Sequence, residues 1–136
     1  MYLLDTNIVS ELRKSKPHGA VLSWVNSVDN ADLYLSAVTV GELQTGVELT
    51  RAQDTSKAEE IELWVLEVCA SFNVLPMDGT TFRECAKLMH GRSNVLYEDA
   101  MIAATAMQHR LTIATRNTKD FQVFDAPFFD PFTFKE

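Results

Sequence analysis

Only two cysteines occur in this chain, Cys69 and Cys85, and neither has CxxC or Cys/His spacing. That absence removes a thiolate metal centre and a disulfide framework from consideration. The two thiols read as buried side chains of a reduced, cytoplasmic protein. Long apolar runs are missing too. The longest, residues 100–107, is far short of the ~20 residues of a bilayer-spanning helix, so no membrane association is expected. The first residues lack a basic n-region and an apolar segment of signal-peptide length, and no secretory leader is expected. Positive charge is also scarce: 12 Lys and Arg stand against 19 Asp and Glu, a net charge of −7. Such a balance argues against a protein that grips nucleic acid by bulk electrostatics. It leaves open a nucleic-acid substrate met through a bound cation, with Arg13, Lys14, Lys16, Arg92, Arg116 and Lys119 lining a groove. It equally suits a basic protein partner.

What remains is a 136-residue chain that is 46% hydrophobic. A domain of that length buries about two-thirds of the surface its unfolded chain exposes, so a single domain over residues 1–136 is expected. Short apolar runs at 2–4, 33–36, 74–76 and 111–115 read as strands. Helical spacing marks 7–14, 20–28, 39–50, 58–72, 80–90 and 98–110, and the Phe- and Pro-rich tail adds an edge strand near Phe128. Strands separated by helices predict a three-layer α/β/α sandwich with a mostly parallel central sheet. Its ligand crevice lies at the carboxyl ends of the strands.

Acidic residues recur at that edge. Asp5 follows the first strand, Glu42 follows the second within its helix, Asp99 opens the helix before the fourth, and Asn117 and Asp120 follow the fourth. Each has a local explanation. Asp5 is a natural helix cap, and Thr39-Val-Gly-Glu42 matches a capping box. Glu98 and Asp99 suit the positive end of a helix dipole by roughly 0.3–1 kcal/mol, and Asn117 to Asp120 fits a turn. Local capping does not explain why all four places meet at one sheet edge. Ionised oxygen ligands without thiolate or imidazole select a hard cation, Mg²⁺ or Mn²⁺.

The segments Tyr2-Leu-Leu-Asp5-Thr-Asn, Ser36-Ala-Val-Thr-Val-Gly-Glu42, Asp99-Ala-Met-Ile-Ala-Ala-Thr-Ala106 and Ala114-Thr-Arg-Asn117-Thr-Lys-Asp120-Phe together resemble the PIN domain, in its VapC- and FitB-type toxin branch. The resemblance runs in order over nearly the whole chain. It implies a PIN-like sandwich and a Mg²⁺- or Mn²⁺-dependent endoribonuclease leaving 5′-phosphate and 3′-hydroxyl ends. It implies a homodimer and a cognate antitoxin with a basic C-terminal segment. The family's acidic positions fall on Asp5, Glu42 and Asp99 as metal ligands. The fourth falls on Asn117, where many members carry Asp, and Asp120 is the candidate auxiliary acid.

Three alternatives compete. A catalytically weak or inactive PIN-like module would act by binding RNA or a partner, and Asn117 is its one hint. A haloacid-dehalogenase-type phosphatase needs a second Asp two residues beyond Asp5, where Asn7 stands. A metal-free ribonuclease needs paired histidines, whereas His18, His90 and His109 fall in a loop and near helix ends and read as solvated or capping groups. Phe residues crowd the tail, where six of the eight lie between Phe121 and Phe134; they read as a packed cover for the sheet edge or an exposed partner surface.

Overall fold

The computed structural model describes residues 1–136. The elements run β1 (Tyr2–Leu4), α1 (Thr6–Arg13), α2 (Gly19–Ser27), β2 (Leu33–Ser36), α3 (Ala37–Arg51), α4 (Thr55–Ser71), β3 (Asn73–Leu75), α5 (Gly79–Met89), α6 (Tyr97–His109), β4 (Thr112–Ala114), α7 (Thr118–Gln122) and β5 (Phe128–Phe129). All five strands are parallel, in the order β3-β2-β1-β4-β5. β1 therefore lies at the centre. The chain first builds outward from it through β2 to β3, then returns to its other side with β4 and β5. That reversal is the topological switch point where parallel sheets open a crevice.

Alternation along each strand divides the interior in two. Leu4, Leu33, Leu35 and Ala114 face Ile8, Val9, Val21, Trp24, Val47 and Val65 on α1 to α4. Leu3 and Ile113 face Ala103, Ala106 and Phe121 on α6 and α7, with Cys85 of α5 in the same core. The sandwich has three layers, as its sequence pattern implies. Small residues on α6 let that helix lie close to the sheet, which is why its Ala-rich stretch is fully buried.

Two helix starts differ from the sequence expectation. α3 begins at Ala37, because Ser36 accepts the Val38 amide and caps it. Thr39 then lies inside the first turn, and the Thr39–Glu42 capping box does not form. α4 begins at Thr55, where Asp54 accepts the Lys57 amide 3.0 Å away. The polar run 51–57 reads as a connection, yet its Asp and Thr are helix-starting residues. Elsewhere the expected boundaries shift by no more than one residue, and the tail strand forms at Phe128–Phe129 beside β4.

Leu3 and Leu4 are neighbours that serve opposite cores, and both are fully buried. Leu3→Ala and Leu4→Ala should each lower stability by about 2–5 kcal/mol, measured by urea denaturation. A loss below about 1 kcal/mol for either would contradict the two-core description.

Candidate active site

Asp5 leaves the end of β1 and caps α1, accepting the Thr6 amide at 2.8 Å. Its other oxygen accepts the Asn7 side-chain amide at 3.0 Å and the Thr115 hydroxyl at 2.8 Å. Thr115 follows β4, so this contact joins the two central strands across 110 residues of sequence. The Asp5 amide donates to the Ala114 carbonyl at 2.9 Å, locking the same junction through the backbone. Thr115 Oγ1 in turn accepts the Asn117 amide at 2.9 Å and bends that loop back toward Asp5. Capping and site placement are therefore one arrangement.

Around Asp5 opens a cleft of about 340 Å³ with no hydrophobic residue in its lining. Asp5, Glu42, Asp99 and Asn117 all line it, as do Thr6, Asn7, Ser10 and Glu98. Thus the four principal candidates from the sequence meet in one place. Asp120 does not line the cleft, but its charge reaches both Asp5 and Asp99. Glu98 was explained in the sequence by the helix dipole alone; in the fold it contributes a fourth carboxylate. Its signal was adjacency to Asp99 in the first turn of α6. Thr6 and Thr115 were hidden within the motifs, and only their tertiary partners reveal what they do. No histidine lines the cleft; His18 instead caps α2 through Nδ1.

Electrostatics in the cleft are those of crowded acids without a cation of the protein's own. Burial pushes the Asp5 carboxyl up, against the opposing pull of its hydrogen bonds from Thr115, Thr6 and Asn7. Glu42 accepts the Thr6 hydroxyl at 2.8 Å. Its pKa is nevertheless pushed up to about 7, first by burial, then by Glu98 and by the charge of Asp5. Asp99 is pushed up to about 6 by burial and by the charges of Asp5, Asp120 and Glu98. These carboxylates surround the cleft but do not form a preassembled cage: no group of three or more His, Cys, Asp or Glu side chains is arranged to enclose an ion. Their oxygen-only chemistry fits Mg²⁺, which keeps much of its water and takes one or two carboxylates together with substrate phosphate.

Comparison with known proteins agrees with the fold and the spacing. The PIN domain model matches residues 2–126, and the chain belongs to the PIN domain family. Toxin FitB of Neisseria gonorrhoeae is 39% identical over 139 residues, covering 96% of this chain and 98% of that protein. VapC ribonuclease Y4jK of Sinorhizobium fredii is 37% identical over 137 residues, covering 96% and 97%. Among solved structures, FitAcB from Neisseria gonorrhoeae has a TM-score of 0.84 at 37% identity, covering 98% of this chain and 99% of that one. VapBC-1 from nontypeable Haemophilus influenzae has a TM-score of 0.74 at 26% identity, covering 96% and 97%.

Glu42 offers a direct check on the electrostatics. An acid whose folded pKa exceeds its unfolded value favours folding while protonated. That contribution is lost as pH rises from 4.5 through about 7. The nominal shift is worth about 3 kcal/mol, and solvent screening at this half-buried group lowers it to about 1 kcal/mol. In buffer free of divalent ions, Glu42→Gln should melt about 3–5 °C above the parent at pH 8, with the gap largely closed at pH 5. Equal gaps at both pH values would refute the assignment.

Proposed function

We propose that this protein is a divalent-metal-dependent endoribonuclease toxin, held in check by a cognate antitoxin. The carrying observation is the cleft itself: Asp5, Glu42, Glu98 and Asp99 converge at the switch point of the sheet with no Lys or Arg among them. Such a concentration of negative charge needs a cation before a phosphodiester can approach. The relatives named as ribonucleases and toxins support the reaction class.

Asp5, Glu42 and Asp99 would hold Mg²⁺ or Mn²⁺. When bound, the ion supplies an activated water and Lewis-acid stabilisation of phosphoryl charge. Asp5 is fixed by three hydrogen bonds, so it acts as the anchor with least freedom to reorient. Glu42 is suited to accept a proton from the attacking water, since its affinity for protons lies near neutrality. Asn117 stands at the rim with no hydrogen bond from its side chain to the protein; its amide offers donors to phosphate oxygens where an Asp would repel them. Glu98 brings the cleft to four carboxylates despite that Asn.

Attack by water with cleavage of the bond from phosphorus to the 3′ oxygen leaves 5′-phosphate and 3′-hydroxyl ends, the outcome that the family resemblance implies. Attack by the RNA 2′-hydroxyl would instead need an acid–base pair such as two histidines, and none lines the cleft. The partner belongs to the same reading. A basic C-terminal segment of an antitoxin complements a cleft with this charge, and FitAcB and VapBC-1 are toxin–antitoxin structures. A homodimer is included as well, and its mass in solution tests it. No helix is long and apolar enough to cross a membrane, which agrees with action in the cytoplasm.

Purified protein should cleave RNA with Mg²⁺ or Mn²⁺ and lose that activity in excess EDTA. Asp5→Asn should reduce the rate by about 10²–10⁴-fold while leaving far-UV circular dichroism unchanged. Cleavage that persists in EDTA would overturn the metal mechanism. An unchanged Asp5→Asn rate would move this chain to the non-catalytic, binding-module reading.

A further inference from the structure

An acidic protein that cuts RNA must hold a polyanion beside its own carboxylates. Five of its twelve lysines and arginines are committed elsewhere. Lys14, Arg51, Lys57 and Lys87 pair with glutamates, and Arg92 is spent on the Leu88 and Val123 carbonyls. Two arginines close to the cleft have no carboxylate partner. Arg13 borders a cavity that shares Thr6, Ser10 and Glu42 with the acidic cleft and continues toward Trp64. Arg116 lies between Thr115, which holds Asp5, and Asn117, which lines the cleft. Its amide donates to Asn7 Oδ1 at 3.3 Å. Its guanidinium rests 4.4 Å from the centre of the Phe132 ring, and that ring packs on His18, itself fixed to Glu11 through its backbone amide.

Helix geometry relates these two positions. Thr6, Ser10 and Arg13 share one face of α1, whereas Asn7 and Glu11 share the next, about 100° around the axis. Arg13 thus stands on the face of α1 that carries Thr6, and Arg116, in the loop after β4, meets the neighbouring face through Asn7. Both are exposed.

We propose that Arg13 and Arg116 bind substrate phosphates on either side of the acidic cleft, setting the path of a single RNA strand across the first turns of α1. This rests on the ribonuclease reading above. Arg116 presents a guanidinium plane pre-ordered by Phe132, with its outer face open to an unpaired base and its edge open to phosphate. Phe132 acts through Arg116 and is a positioning residue. The strand enters with its scissile phosphate over Asp5 and Asp99 and its neighbours on the two arginines, which explains how net acidity and RNA binding coexist.

The test uses the full chain carrying Asp5→Asn, with Mg²⁺ present, and a fluorescein-labelled oligouridylate followed by anisotropy across a salt series. Arg13→Ala and Arg116→Ala should each weaken binding about tenfold and lower the log–log salt slope by about 0.7, without changing the melting temperature. Phe132→Leu should weaken binding less, and should add nothing once Arg116 is Ala. Lys87→Ala, on α5, should leave the slope unchanged. If the parent cleaves RNA but the two arginine variants keep the full slope, or if Lys87→Ala lowers it equally, the proposed path is wrong while the ribonuclease reading stands. If the parent neither cleaves nor binds RNA, both readings fall together.

Discussion

The parallel pairing of β1 with β4 carries the site. Leu4 is in register with Ala114, so the next residue on each strand, Asp5 and Thr115, emerges side by side at the carboxyl edge. Their 2.8 Å contact is buried and spans nearly the whole chain. Neither residue makes the site by itself. Asp5 also starts α1, Thr115 also turns the loop that presents Asn117, and α6 delivers Glu98 and Asp99 to the same edge. A buried carboxylate is costly unless its oxygens are hydrogen-bonded, and here three donors meet that need. The chemistry and the central packing of the sheet therefore share the same atoms.

Charge is the second constraint. Burial first, and then the repulsion of neighbouring carboxylates in one small cleft, push Glu42 up to about 7 and Asp99 up to about 6. In the proposed reaction a divalent ion would compete with protons for the same oxygens. The open arrangement of those oxygens, without a ready-made cage, suits an ion that retains water and shares its coordination with substrate.

The sheet and its functional edge were legible because both depend on short-range pattern. Tyr2-Leu-Leu before Asp5, and Leu111 to Thr115 before Asn117, show where buried strands end and polar residues begin. Asp5 and Asn117 stand out for that reason, Glu42 and Asp99 for their places near the starts of helices that meet the same edge, and the structure brings all four to one cleft. Long-range partners were not legible. Thr115 looks like an ordinary strand residue until Asp5 lies beside it, and Arg116 looks like a solvated cation until Phe132 from the tail comes under it. Local rules also misled where two signals overlapped. Thr39 and Glu42 match a capping box, but Ser36 lies one turn earlier and caps first. Glu42, freed from the helix end, turns to Thr6 instead.

The tail illustrates why a single residue type carries no fixed meaning. Six of eight phenylalanines fall between Phe121 and Phe134, and the fold assigns them different tasks. Phe121 is fully buried beneath the sheet, Phe128 is partly exposed on the edge strand, and Phe129 packs against Tyr2 and Trp24. Phe132 lies between a histidine and an arginine. Of the four, only Phe132 touches a cation beside the cleft. It reaches that cation because β5 pairs with β4, whose end carries Arg116. The same β4 that leads to Thr115 beside Asp5 thus brings the tail to the rim of the acidic cleft, so the edge strand supports the cleft as well as covering the sheet.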